Sequence, residues 1–258
     1  LDFEGPGEGE VVVRIESGDD GLVITQKLLD AGVIRDFDSF YRYLIENNAV
    51  FFPGSFMMRL EMSNKSALEV LSSASNAMTY RVTIPEGYRA VQIFDELSKI
   101  SGIPAAEFRS AAEDLVGLGI PSEAPTIEGY LFPATYSFDT EASALEMIQA
   151  MVSRMKQELE RLGVDEDNWH SVLTLASIVQ REAKLEADFY KVSRVFANRI
   201  AIDMKLETDP TISYSYSGKD MSDLSREKQL EHGYNTYLIE GLPPGPIASP
   251  GSLALEAT

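Results

Sequence analysis

"VVVRIESGDDGLVITQKLLDAGVI" (residues 11–34) and "YRVTIPEGYRAVQIFDELSKISGI" (residues 80–103) carry one local pattern twice, 69 residues apart. Each opens on a strand-forming run, turns at a glycine and continues with apolar residues at helical spacing. Ile15 corresponds to Ile84, Gly18 to Gly87, Ile24 to Ile93 and Leu28 to Leu97. The repeat is short and degenerate, but strand, turn and helix recur in order. Between the copies the pattern predicts a helix near 37–47, a strand at "SFMMRLEM" (55–62) and a helix near 64–74. The first half therefore reads as α+β, preceded by a flexible acidic lead-in, "EGPGEGE" (4–10).

Beyond residue 120 the character changes. "PSEAPTIEGYLFPATYSF" (121–138) is Pro-rich and aromatic, too broken for a helix. A long amphipathic helix follows, with Leu145, Ile148, Val152, Met155, Leu159 and Leu162 as its apolar positions. Two more helices are expected at 167–184 and 187–202, the second with Val192, Val195, Phe196, Arg199 and Ile200 on one stripe. The end, "LETDPTISY" (206–214) and "YNTYLIEGLPPGPIASPG" (234–251), has the proline and glycine density of a fixed, folded-back loop. The expected division is an α+β region over 1–120 and a mostly helical domain with long irregular loops over 121–258.

Composition narrows the function classes. The 258-residue chain is 44% hydrophobic and 24% charged, a globular balance. Its formal charge of −19 argues against binding duplex nucleic acid, whose phosphates it would repel. With no cysteine there is neither a disulfide framework nor a thiolate metal site. His170 and His232 are the only imidazoles, too few for a His-based zinc site. No stretch approaches the roughly 18 apolar residues of a membrane span. The abrupt start at "LDFEGPGEGE" and end at "LALEAT" are expected of a piece cut from a longer protein, with its upstream and C-terminal segments missing.

Within the helix through "SVLTLASIVQREAK" (171–184), positions 172, 175, 179, 182 and 186 share a stripe. They hold Val172, Leu175, Val179, Glu182 and Glu186. An apolar stripe thus runs into Glu182. A carboxyl group among apolar neighbours is disfavoured in its charged form, and that is how proteins hold a proton ready for glycosidic oxygen. The alternative is that the stripe simply ends and Glu182 is solvated.

The ordered motifs "EGYLFP" (128–133), "ASIVQRE" (176–182), "RVFANRI" (194–200), "MKLETDPTISY" (204–214), "YNTY" (234–237) and "GLPPGPIASPG" (241–251) resemble the YceG-like family of endolytic murein lytic transglycosylases. The resemblance is diffuse before residue 120 and dense after it. It implies a membrane-anchored enzyme that cuts peptidoglycan strands outside the cell, beside peptidoglycan synthases, with no cofactor or metal. The family's catalytic acid carries over onto Glu182. Where relatives carry a further acid, this chain has Gln180, which implies hydrogen bonding there rather than proton transfer. The implied chemistry needs one glutamic acid, first as acid and then as base, and forms a 1,6-anhydro ring without water. For the first half the resemblance implies a LysM-like module that binds N-acetylglucosamine polymers.

Other motif residues carry paired readings. Glu128 is either a cleft carboxylate or a cap for loop N–H groups. Tyr130, Phe132 and Tyr136 are either platforms for sugar faces or core. Ala134 stands where many relatives have aspartate, which leaves that position without an assigned role. Arg199, on an apolar stripe beside Asn198, is expected to pair with Asp209 as structural support. Thr208, Asp209, Pro210 and Thr211 would otherwise shape a glycan groove. Tyr234, Asn235 and Tyr237 offer groups suited to N-acetyl and hydroxyl recognition, with the proline loop as a rigid wall. Two competing functions stay open: a non-catalytic cell-wall scaffold, and a two-carboxylate muramidase. Pyridoxal-phosphate chemistry would need a phosphate cradle beside a lysine, and no such glycine-rich loop is present.

Overall fold

The computed structural model describes residues 1–215 and 233–258, and it is α+β as expected. The chain divides into two compact units: Leu1–Arg81 with Ser137–Ala142, and Val82–Tyr136 with Ser143–Thr258.

In the first unit, β1 (Glu8–Ile15) pairs antiparallel with β2 (Gly54–Leu60), setting Val11 opposite Met58 and Val13 opposite Phe56. The faces alternate as a strand requires. Val13, Ile15, Phe56 and Met58 are buried, whereas Val12 is 37% and Met57 42% exposed. Between the strands lie α1 (Gly21–Asp30) and α2 (Phe37–Glu46), and α3 (Asn64–Leu71) follows. Asp20 starts α1 by accepting the N–H groups of Leu22 and Val23, and Asp36 starts α2 through Ser39. Ile24, Leu28, Phe40 and Leu44 complete the core under the sheet. Truncating a fully buried leucine such as Leu28 would cost about 2–5 kcal/mol.

The second copy of the repeat forms as expected. β3 (Thr79–Thr83) leads through Gly87 into α4 (Ala90–Ser101), as β1 leads through Gly18 into α1. Gly18 (φ 97°) and Gly87 (φ 76°) both sit in the left-handed region that glycine tolerates. Ile84, Ile93 and Leu97 are buried like their counterparts Ile15, Ile24 and Leu28.

The second unit adds α5 (Ala105–Ala111), α6 (Ala144–Arg161), α7 (Trp169–Glu182), α8 (Glu186–Ala201), α9 (Asp209–Ser215) and α10 (Ser252–Ala257). β4 (Thr135–Asp139) pairs with β3.

Several expectations shift. The units part at Arg81/Val82, not near residue 120, because 82–120 packs with the helical half: the Ala90 N–H bonds Glu128, and the Gly87 N–H bonds the Ser249 carbonyl. Ser137–Ala142 joins the first unit because Asp139 accepts both the N–H and the hydroxyl of Ser55. The acidic lead-in already belongs to β1 from Glu8, with a register shift before Val11. β4 lies inside the broken aromatic stretch, too short for its alternation to stand out. In α8 the buried positions are Phe189, Ser193 and Phe196, while Val195 is 51% exposed.

Candidate active site

α7 carries the site. It ends at Glu182, its C-cap Ala183 turning to extended backbone, so Glu186 opens α8 and is not on the same stripe. Leu175 and Val179 are buried and Glu182 is half-buried at the end of their row. The Thr208 hydroxyl donates to Glu182 Oε1. Among the described residues Oε2 accepts no hydrogen bond, so Thr208 holds one carboxylate oxygen and leaves the other to accept elsewhere.

Thr208 is itself fixed by buried threonines. Its N–H bonds Thr236 Oγ1 at 3.0 Å, and Thr211 Oγ1 bonds both the Thr208 carbonyl and Thr236 Oγ1, at 2.8 and 2.9 Å. This joins the stretch before α9 to "YNTY". Thr236 escaped the sequence reading because a buried threonine leaves no periodic signal. The Tyr237 hydroxyl donates to Asp209 Oδ1 at 2.6 Å. Asn235 is fully buried and accepts the Tyr237 N–H through its own side chain, and the Tyr234 ring lies 4.9 Å from that of Tyr214.

The opposite flank is a polar ladder on α7. His170 Nε2 bonds the Pro244 carbonyl at 2.8 Å, Ser177 Oγ accepts the Ile247 N–H at 3.0 Å, and Gln180 Oε1 accepts the Gly251 N–H at 3.0 Å. These three residues pin the proline segment along the helix. Gln180 hydrogen-bonds, but its partner is this segment. The segment also exchanges hydrogen bonds with Gly87 and Tyr88 through Ser249. Gly129 (φ 84°) faces it so closely that a Cβ would lie 2.3 Å from Pro246, and only glycine fits there.

Three expectations change. Tyr130 is 1% exposed, so its ring packs in the core and presents no platform. A carbonyl can only accept, so His170 Nε2 carries the proton bound to Pro244 and Nδ1 is left to accept the Tyr130 hydroxyl at 2.8 Å. Arg199 does not reach Asp209. Its Nη1 donates to the Leu206 carbonyl at 2.6 Å and lies 3.6 Å from Glu207, because that turn folds back over α8. Asn198 is exposed on the outer face of α8.

Glu128 is 4% exposed and accepts the Ala90 N–H at 2.9 Å, capping α4 from 38 residues away. Burial pushes its carboxyl up to about 7, against the opposing pull of the Ala90 N–H and nearby Arg89. It borders a cavity of about 420 Å³ with Arg89, Phe94, Arg109, Ile127 and Tyr214. No group of acids and imidazoles among the described residues is arranged to hold a metal ion.

Residues 13–258 match the model of the YceG-like family. The chain is 28% identical to an endolytic murein transglycosylase of Bacillus subtilis (strain 168), covering 96% of this chain and 74% of that protein. It is 27% identical to the endolytic murein transglycosylase of Streptococcus pneumoniae serotype 2 (strain D39), where the match covers 96% of this chain but only 52% of the relative. A crystal structure of a YceG-like protein from Listeria monocytogenes superposes with a TM-score of 0.60 at 28% identity, over 96% of this chain and 89% of that one.

Proposed function

The chain belongs to the YceG-like family, and from that premise we propose that it is a lytic transglycosylase that cuts peptidoglycan within its glycan strands. The observation that carries the reading is Glu182: a half-buried carboxyl at a helix end, one oxygen held by Thr208 and the other without a hydrogen bond among the described residues. Glu182 donates a proton to the oxygen joining N-acetylmuramic acid to N-acetylglucosamine, and the C1–O bond breaks. The resulting carboxylate takes the proton of the muramic acid C6 hydroxyl as O6 bonds to C1. Glu182 ends protonated, a 1,6-anhydro ring has formed and no water has been added. Thr208 keeps the carboxyl aimed through both transfers.

The other motif acids favour this over a muramidase, which needs a second carboxylate facing the sugar. Glu128 is buried as a helix cap, and Asp209 accepts the Tyr237 hydroxyl. Mass analysis of products from purified peptidoglycan tests the reading. The new ends should be 1,6-anhydro-muramic acid, one water lighter than a hydrolase product. Reducing muramic acid ends would overturn it in favour of the muramidase.

Peptidoglycan lies outside the cytoplasmic membrane, so this reading places the protein on that side, with its anchor outside the present sequence and a peptidoglycan synthase as neighbour. No helix among the described residues is long and apolar enough to cross a membrane.

The first unit supports a LysM-like, glycan-binding reading through its strand–helix–helix–strand order. It also has a groove of about 490 Å³ between the β1–α1 turn and the loop after α2, where Tyr41 and Phe51 offer rings beside Asp20 and Asn48. Tyr41→Ala is expected to weaken co-sedimentation with insoluble peptidoglycan several-fold, about the worth of one aromatic contact. Unchanged sedimentation would assign the unit to spacing or protein partners instead.

A further inference from the structure

We infer that the cavity bounded by Arg89, Arg109, Glu128 and Tyr214 is a subsite for the carboxylate-bearing peptide stem of peptidoglycan, one disaccharide along the strand from Glu182. The inference rests on the glycan-cleaving reading and adds to it the part of the substrate that is not sugar.

The first support is charge. In a chain of net charge −19, two guanidiniums line one cavity and neither forms an ion pair among the described residues. The Arg89 guanidinium lies 4.5 Å from the centre of the Tyr214 ring, and its buried Nε–H has no hydrogen-bond partner among the described residues. Such a donor inside a protein ordinarily finds one, and a carboxylate is the acceptor whose geometry matches a guanidinium. Glu128 opposes an incoming anion weakly near neutral pH, because burial holds a large share of its carboxyl in the neutral form.

Shape is the second support. Most of the rest of the wall is apolar, with Val91, Phe94, Ala112, Leu115 and Ile127, while Glu113 and Thr126 add polar groups. At about 420 Å³ the cavity exceeds what one carboxylate or one lactyl group fills. A short peptide of small aliphatic residues and free carboxylates complements both the wall and the arginines.

The third support is spacing. Thr208, bonded to Glu182, immediately precedes α9, and Tyr214, in the cavity, lies six residues further on, within that helix. At the helical rise that is about 9 Å, close to one disaccharide of glycan. Stem-bearing muramic acid recurs at that interval, so a strand with its scissile bond at Glu182 brings the next stem to the cavity.

The test is calorimetric binding to the Glu182→Gln protein, which holds the strand without turning it over. Three ligands of equal glycan length are compared: muramic-acid tetrasaccharide with intact stems, the same with stems removed to leave the lactyl carboxylate, and an N-acetylglucosamine tetramer. The stem-bearing ligand is expected to bind about 10-fold tighter than the other two, the worth of one charge-assisted hydrogen-bonded pair. Adding Arg89→Gln should abolish that preference. Arg109→Gln, at an exposed residue whose replacement does not threaten the fold, should reduce it. Equal binding of the stem-bearing and lactyl ligands, or a preference that survives both substitutions, would overturn the inference while leaving the glycan reading intact. If none of the three bound and the unsubstituted protein left strands uncut, the glycan reading itself would fall, and the inference with it.

Discussion

Replacing Glu182 with glutamine is expected to lower strand cleavage by about 100-fold or more, the usual worth of a general acid, while leaving the fold unchanged. Glutamine keeps the side-chain length and an oxygen that can accept the Thr208 hydroxyl, so the packing at the end of α7 is preserved. What it lacks is a proton that can be given to glycosidic oxygen and a carboxylate that can take one back from the C6 hydroxyl. Both halves of the reaction fail together. The measurement is the release of anhydro-muramic ends from purified peptidoglycan, with circular dichroism and thermal melting as the check on folding. Full activity in Glu182→Gln would return the residue to the plainer reading, an acid at the end of an apolar stripe.

The second large effect is on stability and comes from Glu128. Its carboxyl is raised from 4.5 to about 7 chiefly by burial, so the folded state binds its proton more tightly than the unfolded chain does. The sign follows by linkage. The favourable contribution of protonated Glu128 is fully present below pH 4.5 and is lost as pH rises through about 7. At 1.36 kcal/mol per pH unit across that window, the ionised carboxylate costs about 3 kcal/mol at pH 8. Glu128→Gln retains an acceptor for the Ala90 N–H and removes the buried charge. The variant should therefore melt roughly 5–10 °C higher than the unsubstituted protein at pH 8, with the difference nearly gone at pH 4. A variant that melted lower at both pH values would show that the carboxylate itself, through Arg89 or the α4 cap, holds this region together.

Much of the fold was legible in the sequence because it is local. The twice-written strand, glycine turn and helix needed only β-branched runs, a residue tolerant of positive φ and apolar spacing, and both copies form with matching positions buried. Glu182 was legible as well, as an acid where periodicity calls for an apolar side chain. β4 was not. Its five residues follow a proline-rich stretch and are extended by pairing with β3, a partner about 50 residues away.

The sequence by itself determined the secondary-structure periodicity, the composition that rules out thiolate metal chemistry, and the single acid at the end of α7. Only the tertiary structure decided which polar groups meet. Thr208 reaches Glu182 across 26 residues, Glu128 caps α4 across 38, and Ser177 and Gln180 hold the proline segment across 70 and 71. It also turned Arg199 from Asp209 to the Leu206 carbonyl, and Tyr130 from a surface platform to a core residue bonded to His170. The reason is that burial periodicity follows the geometry of one element. A hydrogen-bond partner is set instead by how distant elements pack, and a buried donor or acceptor bonds whichever group that packing brings within about 3 Å.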